Sequence, residues 1–146
     1  MSTYYSILSA IKTRIEGLAG FSGATVVIRK TPAYWKESDT LPLVILSPRV
    51  ELVKGLQFKG KWISYPVVVT QVRQADTTAG TITEMQTIFD RREEIFDSLF
   101  QSSATGVSAV FDVEYNGSPD FDSSAIDQSL DVSQQEFIYT AALSRT

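Results

Sequence analysis

The sequence predicts an α+β fold, a mainly antiparallel sheet with two helices packed on one face, in the order α-β-β-β-α-β-β. Three observations predict it. Two segments, residues 2–18 and 81–101, repeat apolar side chains three and four apart, the helical spacing. Five other segments are β-branched or alternate with period two, the spacing of strands. The strands follow one another through short connections, which favours antiparallel pairing.

The first helix places Tyr4, Leu8, Ile11, Ile15 and Leu18 on one face. Gly17, Gly20 and Gly23 surround its end, where positive φ is expected. Residues 24–30 (ATVVIRK) read as a short strand. Residues 31–40, with Pro32, Trp35 and Asp39, read as a loop. Residues 43–52 (LVILSPRVEL) form the second strand. Pro48 within it has no N–H for a ladder, so it belongs at an edge or a bulge. Residues 62–72 (WISYPVVVTQV) form the third strand, with Pro66 as a second such marker. Strands two and three make a long hairpin whose connection carries Lys54, Lys59 and Lys61.

Thr81 and Glu84 form a capping box at the start of the second helix. Its apolar stripe is Met85, Ile88, Phe89, Ile95, Phe96 and Leu99. Asp90, Arg91, Glu93, Glu94 and Asp97 form its solvated face. Residues 107–115 alternate, with Val107, Ala109, Phe111, Val113 and Tyr115 on the buried phase. Residues 116–119 (NGSP) are a turn, residues 120–131 an acidic loop, and residues 132–143 the last strand.

With 146 residues, 43% of them hydrophobic, the chain can build one core, so residues 1–146 are expected to form one domain with a projecting β-ribbon around residues 50–63. It has no His and no Cys. That excludes a Ser-His-Asp triad, a thiol nucleophile, disulfides and zinc-thiolate sites. No segment resembles a signal peptide or a membrane span. The expectation is a soluble intracellular protein that is not an enzyme and carries no cofactor.

Charge is unevenly spread. The net charge is −4. Residues 1–75 hold ten basic residues and four acids, a net +6. Residues 76–146 hold three basic residues and 13 acids, a net −10. Such asymmetry points to an interaction surface.

Four constellations stand out. Arg49, Lys54, Lys59 and Lys61, interleaved with Phe58 and Trp62, form a basic ribbon suited to solvation, to docking on an acidic neighbour, or to nucleic acid. Tyr34 and Trp35, in a loop, join Phe58 and Trp62 as candidate interface aromatics, although Trp62 and Tyr65 also suit a core. Asp90, Glu93, Glu94 and Asp97 pair four apart on one helix, which reads first as a charged face. Asp120, Asp122, Ser124, Ile126, Gln128 and Asp131 match the offsets of a calcium loop. Ala125 at its glycine position and the shorter Asp131 at its last favour an acidic solvated loop, with Asp127 inside it.

The element order resembles that of the tail-terminator family of long-tailed bacteriophages, also called tail-completion or minor tail proteins. The residues carrying the resemblance are SILSAIKTRIEGL, then VVIRKTPAYW and LPLVILSP, then the ribbon KGLQFKGKWISYPVVVTQV, then TEMQTIFDRREEIFDSLF and two final strands. It covers nearly the whole chain and rests on element order rather than a motif. It implies a six-membered ring at the head-proximal end of the tail tube. The ring stops tube polymerisation, offers the head connector a surface and lets DNA pass without specific binding. The expected partners are further copies of the chain, the tail tube protein and the head connector or neck protein, with no membrane. The expected location is the virion, after assembly in the host cytoplasm. The basic ribbon and the aromatics are then candidate subunit or tube contacts, and the helix and loop acids a candidate channel lining. The alternatives are a head–tail joining protein of the neck, which has a similar size and a related fold, or a small nucleic-acid-binding module using the basic hairpin.

Overall fold

The computed structural model describes residues 2–31, 40–57, 60–74, 82–117 and 130–144. The fold class is α+β, as the sequence predicts. Helix α1 (Thr3–Glu16) starts at Ser2, whose hydroxyl accepts the Tyr5 N–H at 3.1 Å. It buries Ile7, Leu8, Ile11 and Ile15. Gly17 ends it with φ −84°, an ordinary right-handed value. Among the described residues Gly106, at φ 66°, is the glycine with positive φ, so the expectation for Gly17, Gly20 and Gly23 is corrected. Gly20 is needed for space instead. A Cβ there would run into the side chains of Arg91 and Glu94.

The strands are β1 (Thr25–Ile28), β2 (Leu43–Pro48), β3 (Leu52–Gln57), β4 (Gly60–Gln74), β5 (Val110–Gly117) and β6 (Leu130–Ser144), with α2 (Ile82–Leu99) between β4 and β5. The sheet order is β1-β2-β4-β6-β5, and β3 pairs with β4. The sequence reading differs in three places. The hairpin expected between residues 43–52 and 62–72 is made by β3 and β4, so Lys54 and Lys61 lie in its strands and not in its connection. The run read as one strand over residues 43–52 stops at Pro48, the end of β2, and a separate strand, β3, begins at Leu52. β1 pairs with β2 in parallel, from Thr25↔Leu43 to Ile28↔Leu46. Fourteen residues separate the two strands, enough chain to cross over and re-enter the sheet from the same end. All other pairings are antiparallel.

β4 is the spine. On one side it pairs with β6 along its whole length, from Gly60↔Ser144 to Gln74↔Leu130. On the other side it meets β2 over Val67–Val72, and β3 over Gly60–Ser64. Tyr65 and Pro66 face the break between β2 and β3. A proline is tolerated there because no ladder partner is waiting for its N–H. The Tyr4 hydroxyl fills the break. It accepts the Arg49 N–H at 2.9 Å and lies within hydrogen-bond reach of the Arg49 and Pro66 carbonyls. Burial pushes its pKa up to about 12, only partly offset by the Arg49 hydrogen bond.

Both helices cover one face of the sheet. Val44 and Leu46 of β2, Tyr65, Val67 and Val69 of β4, and Phe137, Tyr139 and Ala141 of β6 pack under Ile7, Ile11 and Ile15 of α1 and Ile95 and Leu99 of α2. Each fully buried aliphatic side chain contributes about 1.5–3 kcal/mol from removal of apolar surface from water. Arg14 ties the helices together, its Nε donating to the Ser98 carbonyl at 3.0 Å. The Tyr139 hydroxyl donates to the Leu99 carbonyl at 2.7 Å and fastens β6 to the end of α2. A smaller cluster on the opposite face gathers Leu43, Ile45, Val72 and Val132. Burial on both faces explains the uninterrupted apolar run Leu43–Leu46. Among the described residues no helix is long and apolar enough to cross a membrane.

Candidate functional site

The basic ribbon is built from β3 and the first part of β4. Lys54 stands opposite Trp62, and Lys61 opposite Leu56, with a bulge between Lys54 and Leu56. The ribbon is more than two strands wide, because β6 continues along the other edge of β4 to Ser144. Phe58, Lys59, Tyr34 and Trp35 lie outside the described residues. Arg49 follows the last residue of β2, and its guanidinium reaches across to Glu136 of β6 at 2.8 Å. The Arg49 side chain is 63% exposed and the Glu136 side chain 11%. Asn116 also donates to Glu136, at 3.4 Å. Arg49 is therefore engaged with its own sheet and stands apart from the lysines as a ligand contact.

The four helix acids do not act as one set. Asp90, Glu93 and Asp97 are exposed on α2. Glu94 turns inward, accepts the Gly20 N–H at 3.0 Å and lies 3.4 Å from Arg91. A helical wheel accounts for this: Glu94 is rotated toward Arg91, at the border of the packed face. Among the described residues no group of three or more acidic, His or Cys side chains is arranged to hold a metal. Of the calcium-like spacing, Asp120, Asp122, Ser124, Ile126 and Gln128 lie outside the described residues, as does Asp127. Asp131 belongs to β6, opposite Arg73 in β4.

A polar seam joins α2 to the sheet. Arg92 donates to the Ser133 hydroxyl and, at 2.9 Å, to the Gln134 carbonyl. The Gln135 side-chain amide donates to the Arg92 carbonyl and the Tyr115 hydroxyl, each at 3.0 Å. Arg73 sits 5.8 Å from the centre of the Phe21 ring. Burial, with the nearby charge of Arg91, lowers its pKa. These groups set the position of α2. None of them forms a constellation for general acid–base or nucleophilic chemistry.

The surface instead presents aromatic rings. Trp62 is 44% exposed and Phe111 50%, and their rings meet edge to face at 5.3 Å. Phe89 is 49% exposed and Phe100 42%. Phe100 stacks on Phe96 at 4.8 Å, and Phe96 meets Tyr115 edge to face at 4.8 Å. Two sequence expectations are corrected here. The alternation of residues 107–115 places Phe111 on the buried phase, but the irregularity between Val110 and Asp112 in β5 breaks the alternation and releases it. The sequence also places Phe89 on the buried stripe of α2, but its side chain is exposed, so the buried face of the helix is narrower than the apolar stripe. Of the two core candidates, Tyr65 is buried and Trp62 is exposed.

No protein-family model matches the chain, and no curated protein matches it.

Proposed function

We infer that the protein is a virion structural protein of the tail-terminator type. Copies form a ring, a hexamer, that caps the tail tube, ends its polymerisation and presents the surface to which the head attaches. The observation that carries this reading is the aromatic surface. Trp62, Phe89, Phe100 and Phe111 are each 42–50% exposed, and two of them form a pair joining strands β4 and β5 across β6. Large rings held half out of water mark protein contacts, because burying them in a partner recovers most of their hydrophobic free energy. The exposed carboxylates Asp90, Glu93 and Asp97 suit a wall past which DNA slides without sticking, since like charges repel. Arg49 is already paired with Glu136, which weakens the alternative of a nucleic-acid-binding hairpin.

Light scattering and electron microscopy of concentrated protein, alone and mixed with tail tubes, test the reading. Rings, in solution or only on tube ends, are expected. A strict monomer that leaves tube ends uncapped overturns it.

A further inference from the structure

We propose that neighbouring copies in the ring are joined edge to edge, the outer edge of β1 pairing antiparallel with the outer edge of β5 in the next copy. The proposal rests on the ring reading and names the contact that builds it.

Among the described residues, β1 and β5 are the two ends of the sheet path. Thr25 and Arg29 donate their N–H groups toward β2, to the Pro42 and Leu46 carbonyls. Val26 and Ile28, between them, therefore turn their peptide groups outward. Beside that edge runs an open groove of about 500 Å³. It is lined by Val26, Val27 and Ile28 of β1 and by Tyr5, Ser9, Lys12 and Thr13 of α1. A strand added about 4.8 Å outside β1 would lie along this groove, with its side chains against the flank of α1.

The occupant is selected by charge and direction. The β1 edge is followed by the exposed Lys30, and beside it on α1 stands Lys12, which pairs with Glu16 at 3.7 Å, so Lys30 is the charge that marks this edge. β5 carries the exposed Asp112 and Glu114. Pairing like edges sets like charges together, whereas β1 against β5 sets opposite charges together. Direction follows from the topology. β1 runs with β2, β4 against β2, β6 against β4 and β5 against β6, so β1 and β5 point opposite ways. Copies related by a head-to-tail rotation keep those directions, so the joined edges are antiparallel. That orientation brings the Lys30 end of β1 beside the Asp112 end of β5, and the Thr25 end beside Asn116. The direction imposed by topology and the position of the charges agree, although they are independent features.

Charge reversal tests the pairing. Asp112→Lys and Lys30→Asp are each expected to raise the concentration needed for ring formation about tenfold, equivalent to about 1.4 kcal/mol. The double variant Lys30→Asp with Asp112→Lys is expected to restore it. Circular dichroism checks that each variant is folded. Cysteine pairs give a second readout, because the chain has no Cys of its own. Thr25→Cys with Asn116→Cys is expected to form a disulfide ladder between copies under mild oxidation, and Lys30→Cys with Asn116→Cys is not. Within one copy the two edges are four strand spacings apart, about 19 Å, too far for a disulfide. If wild-type protein makes rings but the reversals are harmless, or the first cysteine pair fails to cross-link, this pairing is wrong and the ring reading stands. If wild-type protein makes no ring even on tail tubes, both fall.

Discussion

Replacing Tyr4 by Phe tests whether one hydroxyl closes the break between β2 and β3. The change removes a single oxygen and leaves the ring packed against Tyr65, 5.1 Å away edge to face. The oxygen serves the Arg49 N–H and lies near the Arg49 and Pro66 carbonyls. Arg49 is exposed, so water replaces much of what it loses. Pro66 is buried, so its carbonyl is left without a partner. One net hydrogen bond and one stranded acceptor together amount to about 1.5–2 kcal/mol. Over 146 residues, an unfolding entropy of about 2.1 cal/mol/K per residue turns that into a fall in Tm of about 5 °C.

The same group gives a pH signature. The Tyr4 pKa rises from 10.0 to about 12 on folding. A raised pKa means that the neutral form is favoured in the folded state, so the stabilisation is complete below pH 10 and is lost as pH climbs to 12. Two units correspond to about 2.7 kcal/mol, which partial exposure reduces to about 1 kcal/mol. Urea denaturation of both proteins from pH 7 to pH 12 measures this. The wild-type advantage is expected to be constant up to pH 10 and to shrink above it. A difference below about 0.5 kcal/mol at pH 7, or one that does not change with pH, refutes the role given to the hydroxyl.

Three further outcomes are expected. Tyr139→Phe removes the bond to the Leu99 carbonyl inside the core and should cost about 1.5 kcal/mol by urea denaturation. Burial raises the Tyr139 pKa as well, so this variant should lose less stability than wild type on moving to strongly alkaline solution. Gly20→Ala must push aside Arg91 and Glu94, two flexible side chains, and break the Gly20–Glu94 bond, for a loss of about 1–2 kcal/mol in the same assay. Arg49→Ala should cost under about 1 kcal/mol at low salt and less at high salt, because its side chain is 63% exposed.

Both helices were legible because their spacing repeats over several turns and tertiary contacts reinforce it. Ile7, missing from the expected α1 stripe, is the neighbour of Leu8 and widens the buried face. β3 was not legible. Pro48 marks where β2 stops, but in the sequence a proline reads equally as an edge or a bulge within one strand, and Val50 and Leu52 continue the apolar pattern beyond it. The parallel pairing of β1 was hidden for a related reason, since a sequence displays the length of a connection but not its path. Side chains at element margins were the hardest to place. Phe111 depends on one irregular register step, and Phe89 on how wide a face α2 buries. The candidate surface was therefore legible as a class of contact, aromatic and charged, while its strongest aromatic pair, Trp62 with Phe111, required the register of three strands.

The charge split takes on geometric meaning once the sheet order is known. Residues 1–75 supply β1, β2, β3 and β4, and residues 76–146 supply β6 and β5. In the order β1-β2-β4-β6-β5 these groups are not interleaved, so the two halves of the sequence are also the two sides of the sheet. Among the described residues the first half keeps eight basic residues and two acids, and the second half two basic residues and nine acids. Each copy is thus a plate with a basic side and an acidic side. Two such plates joined edge to edge by a two-fold axis would bring like sides together. A head-to-tail rotation brings opposite sides together at every contact, and it closes only as a ring or continues as a filament. Coulomb attraction between exposed sides falls off over about 8 Å at physiological salt, so in the proposed ring it would orient copies at close approach rather than from afar. In that ring the exposed rings and the outer edges of β1 and β5 would decide how tightly the copies hold.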